Sequence, residues 1–203
     1  MLQLPVTIRV PLPGEMPDRD DLEALLWKRQ KARIEPGYKI TLNSITQLRY
    51  TFQAEINIDN PKLWDLVLAL SVLLPEEIYC EYGLHQEEVV TTAYMPKTKL
   101  LAELSKYKQE LTQDGFLQFT LLSNTKTELL EIAVTESKYI RFSGSNKENF
   151  IQCMQSFDLP EIADLAFIDE YPSITEPLKK FVPTARRPED VVWSLNRFFG
   201  INV

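Results

Sequence analysis

The scarcity and spacing of glycine constrain this chain more than any other feature. Its six glycines are Gly14, Gly37, Gly83, Gly115, Gly144 and Gly200, and no two of them share even a twenty-residue window. Nucleotide-binding loops gather several glycines in one turn so that backbone N–H groups can approach a phosphate. The spacing therefore excludes a Rossmann fingerprint, a P-loop and the glycine motifs of protein kinases and lipases.

What remains legible is side-chain periodicity. Residues 4–10 read as a short strand closed by Pro11-Leu12-Pro13-Gly14. Asp18 or Asp20 caps a helix to about Arg33, with Leu22, Leu25 and Leu26 as its stripe and Lys28, Arg29, Lys31 and Arg33 at the end that favours cations. Tyr38 to Ile58 holds one or two strands, alternating at Phe52, Ala54, Ile56 and Ile58. Asp59-Asn60-Pro61 opens an apolar helix as a capping residue with proline at the first helical position. A helix apolar on nearly every side belongs in the core.

From Glu76 the order becomes strand, turn, strand, helix. Strands fall at 76–82 and 87–94 around Gly83, and a helix from Pro96 to Leu111 carries Leu100, Leu101, Leu104, Tyr107 and Leu111. Three more strands are expected at 116–122, 128–134 and 138–142. Ser145-Asn146-Lys147-Glu148 has capping-box spacing before a helix with Phe150, Ile151, Met154 and Phe157 on one face. A further strand is expected at 163–168, followed by Pro172, Pro177, Pro183 and Pro188. The last helix runs from Pro188 to Gly200 with a stripe of Val191, Val192, Leu195, Phe198 and Phe199.

This pattern predicts an α+β fold: an antiparallel sheet built from strand-turn-strand-helix units, with helices packed on one face. No Gly/Ser linker divides the chain. The expectation is one domain over 1–203, whose proline-punctuated segment 171–188 leads to a docked helix at 188–199.

Rare residues narrow the chemistry. The single histidine, His85, excludes a zinc site of two or more histidines within one chain. Cys80 and Cys153 form no CxxC pair, and their apolar surroundings suit buried reduced thiols. Cys80 and His85 are close enough in sequence to invite a nucleophile–base pair, but the intervening glutamate disfavours a thiolate. Divalent-metal binding by Asp164, Asp169 and Glu170 lacks EF-hand spacing. The apolar stretch 63–74 is too short for a bilayer, and the first residues lack the basic and apolar regions of a secretory leader. A cytoplasmic protein without cofactor or membrane contact is expected, with homo-oligomerisation left open.

Charge distribution carries the functional expectation. The formal net charge is -7, which argues against nucleic acid as the main partner. Between Glu148 and Leu178 stand seven acids and no lysine or arginine, and Glu76 to Glu88 adds five glutamates, again without a base. Aromatics inside these runs, Tyr82, Phe167 and Tyr171, supply rigid anchors. The expected function is a non-catalytic protein that holds a basic protein partner on an acidic surface, with an immunity-type inhibitor of a bacterial toxin as one form. Asp164, Asp169, Glu170, Tyr171, Glu81, Glu87 and Glu88 are its candidate contacts. The alternative is a carboxylate- or metal-dependent hydrolase whose acids converge only in the fold.

Overall fold

A computed structural model describes residues 2–12, 14–15 and 21–201. The elements in chain order are β1 (Ile8–Arg9), α1 (Leu22–Lys31), β2 (Gly37–Leu42), β3 (Phe52–Asn57), α2 (Leu63–Ser71), β4 (Glu77–Leu84), β5 (Val90–Thr91) and β6 (Met95–Pro96). They continue with α3 (Lys97–Leu104), α4 (Lys108–Gln113), β7 (Leu117–Asn124), β8 (Leu129–Val134), β9 (Ile140–Gly144), α5 (Lys147–Ser156), β10 (Ile174–Thr175) and α6 (Pro188–Phe199). The fold is mixed α+β. The main sheet runs β2-β3-β9-β8-β7-β4-β5, with β6 also on β4, and every strand pair in it is antiparallel. A separate two-stranded sheet joins β1 to β10.

Register sorts the strand residues into two faces. Ile56, Ile140, Val134, Phe119 and Tyr82 lie in one row across the sheet, and Ala54, Phe142, Ile132, Leu121 and Cys80 in the next. All ten are buried in one core cluster. The same cluster takes Leu63, Leu66, Val67 and Leu70 of α2, Leu100 and Leu104 of α3, Phe150 and Met154 of α5, and Val191 and Leu195 of α6. Aromatic rings concentrate where α5 meets β2, β3 and β9. The Phe150 ring lies 5.5 Å from Tyr38, 5.3 Å from Phe52 and 5.0 Å from Phe142.

Several boundaries differ from the periodicity, each for a local reason. The expected caps Asp18 and Asp20 lie outside the described residues. The Asp59 carboxylate, rather than capping the following turn, accepts the Gln3 N–H at 2.8 Å, and a 3-10 turn at Asn60–Lys62 precedes α2. The helix expected at 96–111 is divided by a 3-10 turn, Ser105–Tyr107, which keeps Leu104, Tyr107 and Leu111 all buried. Asn146, not Ser145, caps α5, accepting the Asn149 N–H at 3.0 Å.

Strand β4 runs straight through Gly83, so the expected second strand shrinks to β5 and Glu87 and Glu88 fall in the connecting loop. Gly83 serves close approach: a Cβ there would sit 3.3 Å from the Val89 Cα of the returning chain. The stretch 163–168 makes an isolated parallel bridge from Leu165 to Arg33 instead of a strand. Leu165 to Ile168 are consecutively buried, and side chains satisfy part of this backbone, as when Asn57 Nδ2 donates to the Ala166 carbonyl at 2.9 Å.

Buried polar groups pin the proline-punctuated C-terminal segment. Asp114 accepts the Phe116 N–H at 3.0 Å and the Leu178 N–H at 3.3 Å, and Glu110 accepts the Arg186 N–H at 3.0 Å. Leu178 and Ala185 are buried beside these contacts. Lys138, in the turn between β8 and β9, is buried as well and donates to the Leu111 and Leu117 carbonyls at 3.0 and 2.6 Å.

Two predictions follow from this packing. Phe150→Ala is expected to cost about 3–5 kcal/mol in urea unfolding, because three aromatic neighbours lose their shared contact. Trp193→Ala, at a residue 62% exposed, is expected to stay within about 0.5 kcal/mol. The second concerns pH. Burial pushes the Lys138 ammonium down to about 7, against the opposing pull of Asp114 and Glu136. Between that value and lysine's ordinary range the unfolded chain holds a proton that the folded chain has released. Stability therefore gains about 1.4 kcal/mol per pH unit from this group as pH rises through the window. Urea unfolding from pH 7 to 9 is expected to show that gain in the wild type and its loss in Lys138→Met.

Candidate functional site

The residues that alternate with the buried rows form the second face of the main sheet. One row crosses six strands as Glu81, Thr120, Ala133, Arg141, Glu55 and Lys39. At about 4.8 Å per strand it spans roughly 24 Å. The adjacent row is Tyr79, Leu122, Glu131, Ser143, Gln53 and Thr41. Leu122 and Ser143 are buried, whereas the other ten are half-buried or exposed.

A returning segment covers one corner of this face. Its backbone pairs with β2 through Tyr38 N–H to the Pro160 carbonyl at 3.0 Å and Ile162 N–H to the Tyr38 carbonyl at 2.8 Å. Phe167 then packs on Tyr139, ring centroids 4.5 Å apart, in a small cluster with Ile162 and Leu165. Lys39 is absorbed here. Its Nζ sits 4.5 Å above the Phe167 ring, donates to the Leu165 carbonyl at 3.4 Å and pairs with Glu55 at 3.1 Å. The segment delivers Asp169 to the Tyr139 hydroxyl, which donates to it at 3.1 Å.

The uncovered part of the face has acid in excess. Among the described residues Glu81 and Glu131 make no ion pair, and Arg141 forms none with either. Burial pushes the half-buried Glu131 carboxyl above its usual range, only partly offset by Arg141; Asp169 is an exposed residue whose carboxyl is raised by local desolvation against the hydrogen bond from Tyr139. A carboxylate held this way has lost part of its hydration and gains only the through-space field of Arg141, with no ion pair, so an incoming guanidinium or ammonium is rewarded. Tyr79, two residues from Glu81 on β4 and in the same row as Glu131, packs against Tyr94 with ring centroids 4.9 Å apart.

The residues singled out from the sequence distribute unevenly. Glu81 and Asp169 stand on or beside the sheet face. Asp164 is exposed but bound to Arg33 at 3.0 Å. Glu170 turns back to its own segment, accepting the Phe167 N–H at 3.0 Å, and Tyr171 is half-buried next to it. Glu87 and Glu88 are exposed in the β4–β5 loop. Glu55, Glu131 and Arg141 escaped notice because each stands apart from the acidic runs. The signal was present in the alternation of 128–134 and 138–142, which sets Glu131 and Arg141 opposite the apolar positions.

Other candidate chemistry dissolves. Cys80 is fully buried and its thiol is pushed up by desolvation, whereas His85 stands exposed with Nδ1 3.8 Å from Glu136 Oε1. Among the described residues no three His, Cys, Asp or Glu side chains gather to hold a metal ion, and no helix is long and apolar enough to cross a membrane. No protein-family model, curated protein or solved structure matches the chain.

Proposed function

We propose that the chain is a non-catalytic binding protein that holds a basic protein partner against the second face of its sheet. The observation that carries this reading is the pair of carboxylates without ion partners among the described residues, Glu81 and Glu131, half-buried on the face they share with Tyr79. Asp169 extends the same negative field toward Tyr139. Desolvated carboxylates next to rigid aromatics are the composition of an interface centre, where a cation from the partner restores what burial removed. The net charge of -7 adds steering toward a basic surface. An immunity-type inhibitor that occupies the basic substrate surface of a toxin enzyme is the form of partner binding that this charge pattern supports best.

The test is affinity capture from the source cells, followed by titration of the purified partner. A basic protein whose affinity falls with added salt is expected. Glu81→Gln, Glu131→Gln and Asp169→Asn together are expected to weaken it about a hundredfold or more. Glu148→Gln, on α5, is the control expected to leave it unchanged. A partner whose affinity ignores both salt and the triple substitution would overturn the reading.

A further inference from the structure

Away from the sheet face, Leu84, Phe116, Pro177 and Pro188 line a cleft of about 500 Å³ between the end of β4 and the start of α6, with the exposed His85 beside them. Lys179 and Arg187 stand on its rim, and so do Glu87 and Glu189. All four are exposed, and among the described residues none makes an ion pair or a side-chain hydrogen bond, with one another or elsewhere. Two charges of each sign thus line one apolar hollow without pairing directly with one another. The elements that carry them explain why. Lys179 follows the pinned Leu178, Arg187 and Glu189 bracket the first residue of α6, and Glu87 belongs to the β4–β5 loop.

We propose that this cleft binds a small amphipathic zwitterion, an apolar α-amino acid or a short apolar peptide, with its carboxylate toward Lys179 and Arg187, its ammonium toward Glu87 and Glu189, and its apolar body on Leu84, Phe116 and Pro177. A simple anion would satisfy the two cations and be repelled by the two carboxylates, and a simple cation the reverse. A molecule bearing both charges meets both pairs. Exposed ion pairs are individually weak, so affinity rests on both termini and the apolar body engaging together. The volume accommodates one or two residues and not an extended chain, in keeping with the size of small-molecule pockets.

The experiment is amide NMR titration of the full chain with L-phenylalanine, the dipeptide Leu-Phe, phenylacetate and phenethylamine. Saturable shifts at Leu84, Phe116 and Lys179 are expected with the zwitterions, and the tighter of the two names the source. Phenylacetate and phenethylamine are each expected to bind at least about fivefold more weakly. The paired substitutions Lys179→Ala with Arg187→Ala, and Glu87→Gln with Glu189→Gln, are expected to lower zwitterion affinity by a similar factor while the rest of the amide spectrum stays in place. Absence of saturable shifts with either zwitterion, equal binding of phenylacetate, or indifference to both paired substitutions would overturn the proposal. None of these outcomes bears on the sheet face, whose test uses other residues.

Discussion

Antiparallel register is the constraint on which the rest of this structure depends. Because successive strand side chains point to opposite faces, the pairing of Ile56 with Ile140 and of Val134 with Phe119 fixes every other position in those strands. The core rows and the acidic rows are one decision seen from two sides. A slip of one residue anywhere in β8 would bury Glu131 and Ala133 and expose Ile132 and Val134. Burial of ten apolar side chains in two core rows therefore also holds Glu81, Arg141 and Glu55 in their row on the opposite face.

The chain beyond α5 is held by a different kind of interaction. It contributes only a two-residue strand to the small sheet and lacks the continuous ladder that fastens the rest. In its place, single carboxylates accept backbone N–H groups: Asp114 at Leu178 and Glu110 at Arg186. Charge-assisted bonds of this sort to buried acceptors are costly to leave unmade. They position α6 so that Val191 and Leu195 enter the core and Asn196 accepts the Tyr82 hydroxyl at 2.7 Å. The cleft beside α6 arises from the same pinning, since Pro177 and Lys179 flank the tethered Leu178.

Charge shows most sharply how sequence proximity and spatial proximity part. The acidic run from Glu148 to Leu178 looks free of bases, yet Asp164 meets Arg33 and Glu176 meets Arg9, both brought in from far along the chain. The carboxylates left without ion partners among the described residues on the sheet face, Glu81 and Glu131, come from two separate strands. Coulomb interaction depends on distance in space, and a one-dimensional charge count contains only distance along the chain.

The sequence by itself determined the element types and much of the core. Alternation placed Phe52, Ala54, Ile56 and the β7 to β9 strands, helical spacing placed Phe150, Met154, Val191 and Leu195, and glycine spacing excluded phosphate-binding loops. These are local properties, set by periods of two and 3.6 residues and by the backbone freedom of single positions. Tertiary structure alone decided which strands are neighbours, that 163–168 crosses the sheet instead of joining it, and that the 97–113 helix breaks at Ser105 to keep Tyr107 inside. It alone set Glu81, Glu131 and Asp169 on one side of the molecule and brought Glu87 and Lys179 to one cleft. Those outcomes depend on register and on contacts between residues far apart in sequence, whose energies no local window contains.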